Sequence, residues 1–68
     1  MKVFAVRLKE LRKEKGLSQC EMAEFLNIRQ QSYARYENDT AEPSYDMLVE
    51  IAKFFTVSTD YLLGIKEY

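Results

Sequence analysis

The sequence predicts an all-α fold, a compact five-helix bundle formed by a single domain over residues 1–68. Three features lead to that class. Apolar residues recur at three- and four-residue spacing in separate stretches, serines and glycines stand at the junctions between them, and β-branched residues nowhere alternate over the length of a strand. A hydrophobic content of 47% supplies a small core for 68 residues, provided that the helices pack on one another.

The first helix is expected from Lys2 to Glu14, with Phe4, Leu8 and Leu11 on one face and Arg7, Lys9, Arg12 and Lys13 around the rest. Gly16 ends it, and Leu17 is placed for the apolar contact that accompanies a Schellman stop. Ser18 then caps a second helix. Its hydroxyl can accept from the backbone of Glu21, whose carboxylate can reach back to the Ser18 N–H, which is the capping-box spacing. Met22, Ala23 and Leu26 follow at helical spacing, and Asn27 sits at the turn, where it tolerates a left-handed conformation better than any residue but glycine. Ile28 restarts the pattern. In the third helix Tyr33 and Tyr36 continue the inward stripe, leaving Gln30, Gln31, Ala34 and Arg35 toward the opposite side.

Residues 38–43, Asn-Asp-Thr-Ala-Glu-Pro, are turn formers and read as a loop. Ser44 caps a fourth helix with Asp46 in its first turn; Leu48, Ile51, Ala52 and Phe55 form its buried face, flanked by Met47 and Phe54. Thr56 breaks the pattern. Ser58 caps a last short helix with Asp60 in its first turn, Leu62 and Leu63 directed to the core, and Gly64 as its stop. There are no internal repeats and no low-complexity segments.

Composition narrows the chemistry. The chain has no histidine and one cysteine, too few soft ligands for a zinc site and no imidazole for acid–base or triad chemistry, so no metal, no cofactor and no enzyme activity are expected. No run of 18 apolar residues exists and residues 1–4 do not make a secretory signal, so the expected location is the cytoplasm, away from any membrane. Cys20 falls in the first turn of the second helix, but without a resolving partner it reads as a passive small residue and not as a redox switch.

The net charge of −1 conceals polarisation. Residues 2–19 carry six basic and two acidic side chains, residues 37–50 carry five acids and no base, and the segments 20–36 and 51–68 each balance. A basic helix therefore precedes the central pair and an acidic segment follows it.

Taken together, Leu17-Ser18-Gln19, the A-x-x-L of the second helix, Gln30-Gln31-Ser32, Tyr36-Glu37-Asn38, Pro43-Ser44, L-x-x-I-A and V-S-x-D-Y-L-L-G resemble the Cro/CI-type (XRE family) helix-turn-helix transcriptional regulators of bacteria and phages. The match runs from about Arg7 to Gly64, with the helix-turn-helix core at 18–37. The resemblance implies a lambda-repressor-like DNA-binding domain that reads double-stranded DNA as a homodimer on a palindromic operator, most simply as a repressor. It implies that helix 30–37 enters the major groove, with Gln30, Gln31, Ala34 and Arg35 as base contacts: glutamine pairs bidentately with adenine, arginine with guanine, and alanine meets a thymine methyl. It further assigns Gln19, Arg12, Arg29, Ser32 and Asn38 to the DNA backbone, has Gln19 brace Gln30, and pairs Arg12 with Glu37 as a surface ion pair worth about 0–1 kcal/mol. Phe54, Tyr61, Ile65 and Tyr68 match the side through which relatives pair, which would set two recognition helices about 34 Å apart.

The chain also departs from the pattern. Arg29 stands where relatives cap the recognition helix with Ser or Thr, Tyr33 and Tyr36 replace aliphatic residues, and the loop after the pair carries Asp39 and Glu42 where some relatives are basic. Few cations then face the phosphates, which implies modest affinity and a shallow salt dependence. The alternative that the same fold allows is a protein-interaction module, antirepressor or antitoxin-like, that uses the acidic segment 37–50. Polar side chains at Gln30, Gln31 and Arg35 favour DNA, because protein-docking faces more often present aromatic or apolar anchors.

Overall fold

A computed structural model describes residues 2–67, so the expected role of Tyr68 lies outside the described residues. Five helices follow one another: α1 (Lys2–Glu14), α2 (Gln19–Leu26), α3 (Gln30–Glu37), α4 (Tyr45–Phe55) and α5 (Thr59–Leu63). No strand occurs among the described residues. The all-α five-helix expectation therefore holds in element order and in bounds. α2 packs on α3 and α4, while α1 closes the bundle against α3 and α5, so α3 is held from two sides.

All five helices stop by the same device, a left-handed residue followed by a backbone bond that reaches back five residues. The N–H groups of Leu17, Ile28, Thr40, Val57 and Ile65 donate to the carbonyls of Arg12, Ala23, Arg35, Ala52 and Asp60 at 2.9–3.2 Å. The residue in front of each has positive φ: Gly16 at 71°, Asn27 at 58°, Asp39 at 61°, Thr56 at 56° and Gly64 at 85°. This is the Schellman arrangement, which satisfies carbonyls that the helix leaves without partners. Gly64 is required twice over, since a Cβ there would lie 2.9 Å from Val3 Cγ1.

The core is built around α3. Tyr33 is the largest wholly buried side chain, joined by Phe4, Leu8, Met22, Ile51 and Leu62. Leu11, Leu17, Leu26, Ile28, Met47, Phe54 and Val57 pack partly buried around them. Leu63 differs from expectation: it is exposed, because adjacent residues of a helix point about 100° apart and the short α5 gives its single inward position to Leu62.

Candidate nucleic-acid interface

The outward face of α3 is fixed by what lies beneath it. α2 opens with a complete capping box: Ser18 Oγ accepts from the Glu21 N–H at 3.0 Å, and Glu21 Oε1 accepts from the Ser18 N–H at 2.9 Å. Asn27 then turns the chain in the left-handed conformation, and after one further apolar residue Arg29 begins α3 from extended backbone. No side chain caps this second start. With Tyr33 sealed in the core, helical phasing places Gln30, Gln31 and Arg35 in solvent, with Ala34 and Ser32 half-buried beside them. Arg29, Gln30, Gln31 and Ala34 line one open concavity. It thus holds two amides, a methyl group and a cation on a single surface.

The far end of α3 is locked. Arg12 Nε donates to Glu37 Oε2 at 2.7 Å and Arg12 Nη2 to Glu37 Oε1 at 3.1 Å, while Arg12 Nη1 donates to the Leu17 carbonyl at 2.8 Å. Gln19 Nε2 donates to Glu37 Oε1 at 3.2 Å. One carboxylate thereby joins α1, α2 and α3. Burial alone pushes the Glu37 carboxyl up, but Arg12 first, then the adjacent Tyr33 hydroxyl and the Gln19 amide, more than reverse this, and it is held below its ordinary 4.5.

Three expectations change here. The Arg12 and Glu37 side chains are only 12% and 2% exposed, so the pair is not a surface ion pair. Removing one partner therefore costs more than it would at a surface pair, because it strands the other charge in a buried position. Every nitrogen of Arg12 is engaged inside the protein, which leaves it as an orienting group rather than an open phosphate contact. The Gln19 amide, expected to brace Gln30, is turned instead to Glu37, where a carboxylate is a stronger acceptor than a neutral amide oxygen.

Tyr33 lies one helical turn before Glu37, and its hydroxyl is buried and close enough to feel that carboxylate, yet it makes no hydrogen bond of standard geometry. Burial first, and then the adjacent Glu37 carboxylate, as an acceptor and as a negative charge, push its phenol well above its ordinary 10.

The basic first helix is less open than its composition implies. Arg7 stacks 4.3 Å over the Tyr61 ring and donates to the Tyr61 carbonyl, to the Lys66 carbonyl at 2.6 Å, and toward Glu67 at 4.0 Å. Lys9, Lys13 and Lys15 remain on the surface. Among the residues expected to pair protomers, Tyr61 is half-buried beneath Arg7, and Phe54 stacks between Phe25 at 5.1 Å and Phe55 at 5.0 Å. Ile65 is 71% exposed. Phe25, 62% exposed, was not singled out by sequence, although the phase set by Met22, Ala23 and Leu26 already turns it outward. Asn38 is exposed beyond α3, and Cys20 is an exposed free thiol. Among the described residues no group of three or more His, Cys, Asp or Glu side chains is placed to hold a metal ion, and no helix is long and apolar enough to cross a membrane.

Comparison with known proteins matches this geometry to a group. The helix-turn-helix family model matches residues 8–62. The chain is 46% identical over 61 residues to the HTH-type transcriptional regulator ImmR of Bacillus subtilis (strain 168), covering 90% of this chain and 48% of that protein. It is likewise 46% identical over 61 residues to the SPbeta prophage-derived uncharacterized HTH-type transcriptional regulator YonR of the same organism, covering 90% of this chain and 56% of that one. Among solved structures, a transcriptional regulator from Listeria innocua superposes with a TM-score of 0.85 at 36% identity, covering 90% of this chain and 57% of the other. The chain spans about half the length of the curated relatives it matches.

Proposed function

The chain belongs to the helix-turn-helix family, and from that premise we propose that it is a sequence-specific double-stranded DNA-binding unit of a transcriptional regulator, acting as a repressor in the bacterial cytoplasm. One observation carries the reading. α3 keeps Tyr33 in the core and Glu37 in a three-helix lock while its opposite face presents Gln30, Gln31 and Ala34 in an open concavity shared with Arg29, with Arg35 exposed one turn further on. In the major groove these side chains read base edges: the glutamines by bidentate amide pairing with adenine, Arg35 with guanine, and Ala34 against a thymine methyl.

Backbone contacts fall to Arg29, Ser32, Asn38 and Gln19, with Arg12 acting through Glu37 and not on the phosphate itself. Arg29 in the cap position replaces an intrahelical bond by a cation at the mouth of the groove. The acidic loop after α3 keeps the number of neutralised phosphates small, so affinity falls less steeply with salt than for a strongly basic repressor. Two copies joined through the side that carries Phe54, Tyr61 and Ile65 place their recognition helices about one DNA turn apart on an inverted repeat. Occupancy of such a site over a promoter represses without further contacts.

Selection of binding sites from random duplex DNA by the purified protein tests this. An enriched inverted repeat is expected. Gln31→Ala should relax preference at an adenine and Arg35→Ala at a guanine, each costing about 1–3 kcal/mol of discrimination. No enrichment at low salt overturns the reading, and a strict monomer on a single half-site overturns the pairing.

A further inference from the structure

We propose that Tyr33 is an alternative hydrogen-bond donor to Glu37, which takes over the carboxylate when Gln19 leaves it and so frees Gln19 for the DNA backbone without unlocking α3. The DNA half of this statement rests on the function proposed above; the exchange of donors on Glu37 does not.

Three observations support it. The Tyr33 hydroxyl is wholly buried and without a hydrogen bond of standard geometry, in a residue that is 0% exposed, and an orphaned buried hydroxyl is costly where a phenylalanine would not be. Tyr33 and Glu37 are four residues apart on one helix, which stacks them on the same face. Of the three bonds that Glu37 accepts, the one from Gln19 is the longest at 3.2 Å and comes from a neutral donor on a half-buried side chain. It is the bond most easily given up.

Gln19 is also the first residue of α2, where the positive end of the helix dipole draws a phosphate. When its amide turns to that phosphate, Glu37 Oε1 loses one of its two donors and keeps Arg12 Nη2. A small shift of the Tyr33 side chain about its Cα–Cβ bond then supplies an O–H to a charged acceptor, a bond stronger than the amide contact it replaces. Phenylalanine fills the same space without this capacity.

A double-mutant cycle on the free protein tests the exchange. By urea unfolding, Tyr33→Phe alone should leave the unfolding equilibrium constant unchanged within about twofold or lower it, since an unpartnered hydroxyl is removed. In the Gln19→Ala background, where Tyr33 is the remaining neutral donor, the same substitution should raise that constant about five- to tenfold. Additive effects overturn the proposal. On the selected duplex, Tyr33→Phe should weaken binding about fivefold with an unchanged salt slope, because the phosphate contact it weakens is made by the uncharged Gln19 amide. Equal affinity of Tyr33→Phe and the parent protein overturns the DNA half. If no duplex is enriched at all, the proposed function fails while the unfolding cycle still decides the exchange.

Discussion

The two ends of α3 are built on opposite plans. At its C-terminal end, Glu37 is tied to Arg12 and Gln19, and Asp39 closes the helix in the left-handed conformation. At its N-terminal end, Arg29 offers the backbone no acceptor, and the first turn presents Gln30 and Gln31 to solvent. α2, α4 and α5 each begin with a serine that accepts a backbone N–H, so the bare start belongs to α3 alone among these four helices. This division suits the reading role proposed for α3: rigidity at one end fixes direction, and open N–H groups at the other remain for a ligand.

The anchor can be broken outright. Glu37→Ala leaves Arg12 buried without its carboxylate, and removal of one partner of a buried pair costs about 3–5 kcal/mol, comparable with the whole stability of a domain this small. Urea unfolding at neutral pH should show a partly unfolded population before denaturant is added; a loss below about 1 kcal/mol would mean that the lock contributes no more than a surface pair. Acid reaches the same group. The folded carboxyl titrates below its ordinary 4.5, so Glu37 contributes stability above that value, and the contribution is lost as pH falls through the folded value. The urea midpoint should therefore drop as pH is lowered from about 5 to 3, with a smaller drop in Glu37→Gln, whose neutral amide does not titrate.

The loose end can be firmed. Arg29→Ser restores an acceptor for the N–H of Gln31 or Ser32, which should stabilise the free protein by about 1 kcal/mol and slow hydrogen exchange of the Gln30–Ser32 amides. In the parent protein those amides should exchange faster free than on DNA. Equal protection in both states would show that the first turn is already formed without its ligand.

Much of this was legible in the sequence, and the parts that were not share a cause. Ser18 with Glu21, Asn27, Gly16 and Gly64 are local signals, and each is read from a few neighbouring residues. The inward stripes placed Tyr33, Leu8 and Ile51 in the core for the same reason. What escaped depends on distant partners. Arg7 is a solvated cation on a helical wheel, yet it is spent on carbonyls 54 and 59 residues away. Arg12 and Glu37, 25 residues apart, could be paired by resemblance, but the depth of the pair follows only from how α1 and α3 meet. The left-handed stops at Asp39 and Thr56 were hidden because neither residue type advertises that conformation as glycine does.

Thr56 separates the two components of the anchored end. It holds the same stop as Asp39 on a helix with no ion pair at its end among the described residues, and it does so with a β-branched side chain, for which φ of 56° is strained. Relief of that strain by Thr56→Gly is partly offset by the greater freedom glycine gives the unfolded chain, leaving a net gain of about 0.5–1 kcal/mol. For a domain of this length that amounts to a rise in melting temperature of roughly 4 °C, readable by circular dichroism. A fall instead would mean that the Thr56 side chain contributes more than its backbone costs, and the stop would then owe its stability to contacts as much as to conformation.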